Sequence, residues 1–260
     1  MQSLISHLLK IKKLGVIAIK QSLEDEGASF EDIKKMRAIT SIAKLKLNVK
    51  VGGCEAKNDI FFCKKIGVDG IVAPMVESQY ALQKFIQTVG RSKKNSLYVN
   101  LESQQAFTNI KKIMKNSNFN LLRGVVVGRS DLAGSLGLEK SAVDSKLIYN
   151  KVFNLLTKIK KRKLWIKMGG SVTPNSQAFV YKLFKKKLID SIETRNAEIL
   201  LNKRNIFNLK DIIINIYNFE LKWLKYKLKN TKPKNFELKK NDCSSRIKEI
   251  SNRIILIKYQ

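Results

Sequence analysis

The sequence is poor in the residues that most often mark catalytic and disulfide chemistry. It has a single histidine, His7, and three cysteines, Cys54, Cys63 and Cys243. No two cysteines form a CxxC pair, and an odd number suits reduced thiols, so we expect a cytoplasmic protein. The apolar runs near the N-terminus are far shorter than the ~20 residues of a membrane span. No small-residue cleavage site follows an apolar core there, so we expect no signal peptide.

Acidic residues are also scarce. The chain has 21 Asp and Glu against 51 Lys and Arg, a formal net charge of +30. Such a balance is found in proteins that bind nucleic acids or anionic membranes. Here the lysines are spread from Lys10 to Lys258 and are not interleaved with aromatics in one patch. Heavy use of Lys, Asn and Ile is also what an AT-rich genome produces. We therefore expect an anionic small-molecule substrate and neither a nucleic-acid nor a membrane partner.

Short apolar runs recur along the first 200 residues, with helical patterns between them. This alternation predicts an α/β fold with a parallel sheet, and 260 residues suit a (β/α)₈ barrel of the TIM type, which typically has about 250. An eighth strand is expected as a short N-terminal segment, as a piece after Leu200, or not at all. The seven predicted strands cover 15–20, 47–51, 68–72, 97–101, 124–127, 164–168 and 188–192.

The segments outside this alternation predict helices at both ends of the chain. Residues 2–13 carry apolar residues at helical spacing, and we expect this helix to pack outside the barrel or across its bottom. Ser29 with Asp32 fits a capping box. Residues 128–145 are predicted to form a loop. After residue 202 a long apolar helix (211–229), a linker (231–235) and a weakly helical segment (244–257) follow. We therefore divide the chain into a barrel with its N-terminal helix (1–202) and a helical extension (203–260).

Two carboxylates follow neighbouring predicted strands. Glu102 comes directly after 97–101, and Asp131 comes three residues after the GVVVG strand. Strand ends of a barrel open on its ligand-binding face, and carboxylate oxygens suit a hard cation such as Mg²⁺. The alternative is that Glu102 begins a loop and Asp131 caps the turn that follows.

Glycine pairs follow two of the predicted strands, Gly52–Gly53 after the second and Gly169–Gly170 after the sixth. The amides of Gly52 and Gly53 could receive a carboxylate or phosphate at a helix start, and Gly128 could let a ligand approach the backbone. A tight turn explains the Gly52–Gly53 pair equally well. Cys54 stands beside that pair, where a thiolate is favoured. Because no histidine base accompanies it, we interpret Cys54 as a small packed residue.

Several motifs resemble those of the HpcH/HpaI aldolase and citrate lyase family. The resemblance spans about residues 14–200 and rests on IKQSLEDEGAS, KVGGCEA, IVAPMVES, YVNLES and GVVVGRSDLAGSLGL. It implies that Glu102 and Asp131 bind a divalent metal, Mg²⁺ or Mn²⁺. It further implies a carbon–carbon lyase or aldolase that acts on a 2-oxo acid or acyl-CoA type substrate through a metal-stabilised enolate. By the same resemblance we expect a homo-oligomer assembled through the C-terminal helices.

Such chemistry needs an anion clamp and an acid or base. Lysines within apolar strands are costly to leave unpaired, so we expect Lys20, Lys50 and Lys167 to face the site. The other clamp candidates are Arg129 and Arg195. The expected counterions are Glu24, Glu26, Glu55, Glu77 and Glu193, and we favour Glu24 or Glu26, together with Lys50 and Arg129, as catalytic. A loop carboxylate paired to Lys50 is the open alternative for these two glutamates.

The sequence departs from the family in ways that affect its chemistry. Family members that use a histidine base have no counterpart here, and Lys50 stands where an arginine is frequent, which removes a bidentate grip on a carboxylate. The KVGGCEA and ETR motifs indicate a divergent branch. The alternative function is therefore a catalytically inactive barrel that binds an anionic sugar acid or a nucleotide-linked ligand.

Overall fold

The computed structural model describes residues 1–24, 27–90, 94–230 and 236–259, with the side chains of 236–240 left out. Within these ranges eight strands close into one barrel in sequence order. The predicted α/β barrel is therefore confirmed. The strands are β1 (Val16–Ser22), β2 (Lys46–Lys50), β3 (Gly70–Ala73), β4 (Ser96–Leu101), β5 (Gly124–Gly128), β6 (Trp165–Gly169), β7 (Ser191–Glu193) and β8 (Ala197–Leu200).

Helices surround the barrel, and further helices follow its last strand at the C-terminal end of the chain. The capping box predicted at Ser29 and Asp32 is present at the start of the second helix. The helices are α1 (Gln2–Lys13), α2 (Phe30–Ala43), α3 (Lys57–Ile66), α4 (Gln79–Val89), α5 (Gln104–Lys115), α6 (Arg129–Ser135), α7 (Lys146–Lys160), α8 (Gln177–Lys185), α9 (Lys203–Phe207), α10 (Leu209–Lys229) and α11 (Phe236–Tyr259).

The eighth strand lies where none was predicted. Strands β1 to β7 pair in parallel, whereas β8 pairs antiparallel with both β7 and β1. Only Thr194 to Asn196 separate β7 from β8, and a connection that short forms a hairpin because a parallel crossover needs a dozen residues or more. The three predicted alternatives, an N-terminal strand, a strand after Leu200 or no eighth strand, were therefore wrong, because β8 ends at Leu200 as the second strand of a hairpin.

The segment 128–145, which was predicted to be a loop, contains regular structure. Helix α6 begins at its second residue, and a 3₁₀ turn, Lys140–Asp144, follows. Leu132 and Ala133 are fully buried on one face of α6. The helix therefore forms because that face packs on the barrel, which local composition does not reveal.

Side chains alternate between the barrel interior and its outer surface. On β4, Leu97, Val99 and Leu101 belong to the large apolar core beneath the helices, whereas Tyr98 belongs to a small separate cluster with Val72, Val126 and Trp165. A period of two along a strand therefore places Tyr98, Asn100 and Glu102 inside the barrel, with Glu102 nearest its C-terminal mouth.

The terminal helices pack on one another. Helix α1 contacts α2 and α10, and α10 in turn contacts α11, so α1 lies in the outer ring, as one of the two sequence alternatives proposed. The predicted linker at 231–235 lies outside the described residues, and the division at residue 202 stays a prediction. No helix in the described ranges has the length and apolar character needed to cross a bilayer.

Candidate functional site

A cavity of about 340 Å³ opens at the C-terminal mouth of the barrel. Its walls come from strand ends, from the start of α6 and from the two last helices. The lining residues include Lys20, Lys50, Asn100, Glu102, Gly128, Asp131, Glu193, Arg195, Arg246, Glu249 and Arg253. Most residues predicted from strand ends thus meet in one place.

Glu102 is the central carboxylate of this cavity. It is buried, and it accepts hydrogen bonds from the Met75 amide at 3.2 Å and from the Asn100 side-chain amide at 2.9 Å, one at each oxygen. Burial, together with the negative charge of Asp131, raises the pKa of Glu102 to about 7 despite the opposing charge of Lys50. A carboxylate in this environment gains much from a cation placed beside it.

Because two glycines lack a side chain, Glu102 and the start of α6 can lie close to their backbone. A Cβ on Gly128 would stand 2.6 Å from Glu102 Oε2, and a Cβ on Gly170 would stand 2.3 Å from the Arg129 amide nitrogen. Gly170 also has φ +81, a region that side chains disfavour. Gly128 therefore admits the carboxylate, whereas Gly170 admits the first turn of α6.

The second predicted ligand, Asp131, is exposed in the first turn of α6 and lines the same cavity. Nearby, Asn100 Oδ1 is buried without a hydrogen-bond partner among the described residues. Two carboxylates and an unsatisfied amide oxygen suit a hard cation and its water ligands. Within the described ranges no three His, Cys, Asp or Glu side chains cluster as a complete metal site, so solvent or substrate oxygens would have to complete the coordination.

Lys20 and Lys50 both line the cavity, as predicted. The Lys20 ammonium is 2.9 Å from Glu193 Oε2, and the Lys50 ammonium is 3.0 Å from Glu24 Oε2. The contact of Glu24 agrees with the alternative given for it from the sequence, a loop carboxylate paired to Lys50. Glu26 lies outside the described residues.

Lys167 points into the barrel but lies beneath the cavity and does not line it. Its ammonium is fully buried, 2.7 Å from Glu198 Oε2 and 3.3 Å from Glu193 Oε1. Burial by itself lowers the pKa of Lys167, but these two carboxylates raise it above its ordinary value. Burial by itself raises the pKa of Glu193, but the positive charges of Lys20 and Lys167 together outweigh burial. The pKa of Glu193 therefore lies below its ordinary value. Lys167 is therefore an ionised structural cation and not the substrate ligand that we predicted.

Arg129 is turned away from the cavity, contrary to its predicted role as a clamp. Its guanidinium is fully buried and donates to the carbonyls of Gly169 and Gly170 at 3.2 and 3.0 Å and to the carboxylate of Asp144. Because the side chain ties α6 to the loop after β6, its donors are committed to the protein. The sequence placed Arg129 correctly at a strand end but could not give its direction.

The other predicted residues near the second strand also stay outside the cavity. The Gly52 amide donates to Asp59 at 2.8 Å, and neither Gly52 nor Gly53 lines the site. Glu55 pairs with Lys84 on the outer surface. Burial raises the pKa of the Cys54 thiol to about 11, which agrees with a packed residue and not with a thiolate.

Sequence reasoning missed the contribution of the last helix. Arg246, Glu249 and Arg253 of α11 line the cavity, and Arg246 and Glu249 also line an adjoining cavity of about 470 Å³. Their spacing of three and four residues places them on one helix face. Asn100 was also missed, although the alternation in LYVNLE puts it on the same face as Glu102.

Comparison with known families agrees with this geometry. The family model for HpcH/HpaI aldolase/citrate lyase matches residues 30–164, more than half of the chain. The chain belongs to this family. Its matched region contains Glu102 and Asp131, and the family and fold together indicate a carbon–carbon lyase of the aldolase or citrate lyase type. Members of the family generally depend on a divalent metal.

Solved structures show the same fold at low identity. An HpcH/HpaI aldolase from Desulfitobacterium hafniense DCB-2 has a TM-score of 0.61 and 10% identity, with 73% of this chain and 81% of that chain covered. A family protein from Burkholderia cenocepacia J2315 has a TM-score of 0.60 and 13% identity, with 73% and 82% covered. The citrate synthase SbnG has a TM-score of 0.61 and 12% identity, with 82% and 89% covered. No curated protein sequence matches this chain significantly.

Proposed function

We propose that this protein is a divalent-metal-dependent carbon–carbon lyase that acts on a 2-oxo acid or an acyl-CoA type substrate. The observation that carries the proposal is the buried Glu102 carboxylate, whose pKa is raised to about 7 beside Asp131. Burying such a group without a cation is costly. A Mg²⁺ or Mn²⁺ ion held by Glu102 and Asp131 would remove that cost, and family membership supports the same chemistry.

The residues around the pair divide the remaining work. A bound divalent cation supplies Lewis acidity, which disperses the negative charge that develops on a carbonyl oxygen. Lys50 and Lys20 present ammonium groups to the substrate carboxylate, and Glu24 and Glu193 orient them through ion pairs of 3.0 and 2.9 Å. Gly128 keeps the wall beside Glu102 open.

Proton transfer falls to Glu24, which the ion pair with Lys50 holds beside the cavity. Of the two glutamates predicted as bases, Glu24 lies within the described residues; it contacts the cavity-lining Lys50, and its side chain is 43% exposed. Its carboxylate can therefore accept a substrate proton and release it to solvent, while the Lys50 ammonium stays protonated and binds the substrate carboxylate. Arg195, exposed at the turn after β7 and in the cavity wall, is left to bind a further anionic group.

Calorimetry of Mg²⁺ binding, with and without pyruvate, tests the proposal on the wild type and on Asp131→Ala. We expect metal binding that tightens with pyruvate, and a loss of at least tenfold in metal affinity in the variant, because one of two charged ligands is gone. Turnover that depends on the metal should be abolished together with binding.

Glu31→Ala is a matched control, since it removes an exposed carboxylate whose partner is Lys35 on the same helix. It should leave metal binding unchanged. Full metal affinity in Asp131→Ala, or an equal loss in Glu31→Ala, would refute the assignment of the site.

A second candidate function is a binding protein without catalysis. It is favoured by the position of the only histidine, His7, which lies in α1 against the Asn215 carbonyl and not in the cavity. Binding of a sugar acid such as gluconate in the absence of metal, with no metal binding under any condition, would make this function the better one. Assembly into a homo-oligomer and a cytoplasmic location stay predictions.

A further inference from the structure

The cavity above Glu102 is partly closed by a helix that is not part of the barrel. Helix α11 packs on α10 and contributes Arg246, Glu249 and Arg253 to the cavity wall. Arg246 is anchored by Glu220 of α10, whose Oε1 lies 2.7 Å from Arg246 Nε. Since Glu220 is buried, this ion pair fixes where the helix face lies relative to the mouth of the barrel.

The two arginines converge on a single carboxylate. Glu249 Oε2 is 2.6 Å from Arg246 Nη1, and Glu249 Oε1 is 2.5 Å from Arg253 Nη2. A guanidinium has five N–H donors in a planar fork, which is more than these contacts use. The side chain of Arg253 is 32% exposed and that of Arg246 13%, so both can offer donors to a ligand in the cavity. Arg129, by contrast, has its donors committed to the protein.

The charges that line the cavity exceed what one carboxylate of a ligand would balance. The acidic lining residues include Glu102 and Asp131, which the bound cation would neutralise. Against the six basic members stand Glu193 and Glu249 in the lining, and Glu24 and Glu220 outside it, which pair with Lys50 and Arg246, so two positive charges remain. The acidic members are Glu102, Asp131, Glu193 and Glu249, and the basic members are Lys20, Lys50, Lys140, Arg195, Arg246 and Arg253.

We propose that Arg246 and Arg253 form a second anion subsite, which holds the distal carboxylate of a 2-oxo dicarboxylic acid. The inference rests on the proposed function, because the first carboxylate and the keto group would lie at Glu102, Asp131, Lys20 and Lys50. A planar guanidinium pair matches carboxylate oxygens in bidentate geometry. The C-terminal helix thus selects the substrate, whereas the barrel supplies the reacting centre.

The test compares two ligands that differ only in the distal group: oxaloacetate and 2-oxobutyrate, whose methyl group replaces that carboxylate. Calorimetry with Mg²⁺ should show that the wild type binds oxaloacetate at least tenfold more tightly. Arg253→Gln should weaken oxaloacetate binding about tenfold and leave 2-oxobutyrate binding within twofold, because a charge-assisted hydrogen bond is lost for one ligand alone. Arg253→Lys should recover part of the loss.

Arg204→Gln is the matched control, since Arg204 is exposed on α9 and lines neither cavity. It removes the same charge and should change neither affinity. Equal affinity of the wild type for both ligands, or an equal loss of both in Arg253→Gln, would overturn the subsite.

Failure of the proposed function would look different. It would appear as absence of Mg²⁺-dependent 2-oxobutyrate binding in the wild type. The arginine pair would then be tested without metal by comparing succinate with butyrate. A preference for succinate that Arg253→Gln removes supports the subsite, and no preference overturns it.

Discussion

The barrel interior contains buried charges in a lower layer, around Glu198 and Lys167, and in an upper layer, around Glu102. The two layers differ in how far these charges are compensated by neighbouring groups. In the lower layer Glu198 accepts from Lys167, Asn48, Trp165 and Ser191 at 2.7 to 3.0 Å, so each of its oxygens has two partners. In the upper layer Glu102 keeps a raised pKa, and the neighbouring Asn100 Oδ1 has no partner among the described residues.

The contrast separates structural from functional polar residues. A saturated network holds the strands in one arrangement and has nothing left to offer a ligand, whereas an under-satisfied carboxylate at the cavity floor gains when a cation binds. Glu193 joins the layers, since it pairs with both Lys20 and Lys167. The compensated ion pairs of the lower layer therefore hold Lys20 in place beside the uncompensated carboxylate of the upper layer.

The largest expected effect is on the lower layer. Lys167→Met removes the cation between Glu198 and Glu193 and leaves two buried carboxylates with less compensation. We expect a loss of about 3–5 kcal/mol in the free energy of unfolding, measured by urea denaturation. Lys167→Met combined with Glu198→Gln should recover part of it, because the stranded charge is gone. A loss below about 1 kcal/mol in the single variant would mean that the lower layer is not a closed ionic network.

In the upper layer removal of a charge should stabilise the metal-free protein. The folded pKa of Glu102, about 7, lies above its ordinary 4.5, so the folded state holds this proton more tightly than the unfolded state. Stability is therefore lost as the pH rises from about 4.5 through 7, with a full cost of about 3 kcal/mol above that range. Glu102→Gln should raise the unfolding free energy at pH 8 by up to this amount.

The same variant should show little gain at pH 5, where Glu102 is already protonated in the folded state. Urea unfolding in EDTA at both pH values measures the difference, while Mg²⁺ affinity at pH 8 should fall. A gain that is equal at pH 5 and pH 8 would contradict a titrating carboxylate at this position.

The smallest effect on stability is expected from Gly128→Ala. A Cβ there would stand 2.6 Å from Glu102 Oε2, so the carboxylate must move, at a cost of about 1–3 kcal/mol. Mg²⁺ affinity should fall about tenfold because the ligand is displaced. Gly134→Ala on α6 is the control, since nothing lies within 4 Å of its added Cβ. Unchanged metal affinity in Gly128→Ala would separate Glu102 from the metal site.

The strands that carry the site could be predicted because each is a short apolar run followed by a polar residue. Glu102, Lys20 and Lys50 line the cavity as expected, since strand ends converge at one mouth of a barrel. For Arg129 and Lys167 the predicted position at or next to a strand end was right, but the predicted contact with the substrate was wrong. The direction of a long side chain depends on partners such as Asp144 and Glu198, which are distant along the chain or on a strand that the pattern concealed.

By itself, the sequence determined the βα alternation, the barrel class and the pair Glu102 and Asp131, because hydrophobic periodicity and strand-end position are local properties. Only the tertiary structure decided that β8 returns as a hairpin, that Lys167 is ion-paired with Glu198 inside the barrel, and that α11 brings Arg246 and Arg253 over its mouth. Those arrangements depend on burial and on charge pairing between distant segments. The sequence shows the charges, but only packing decides which of them are compensated.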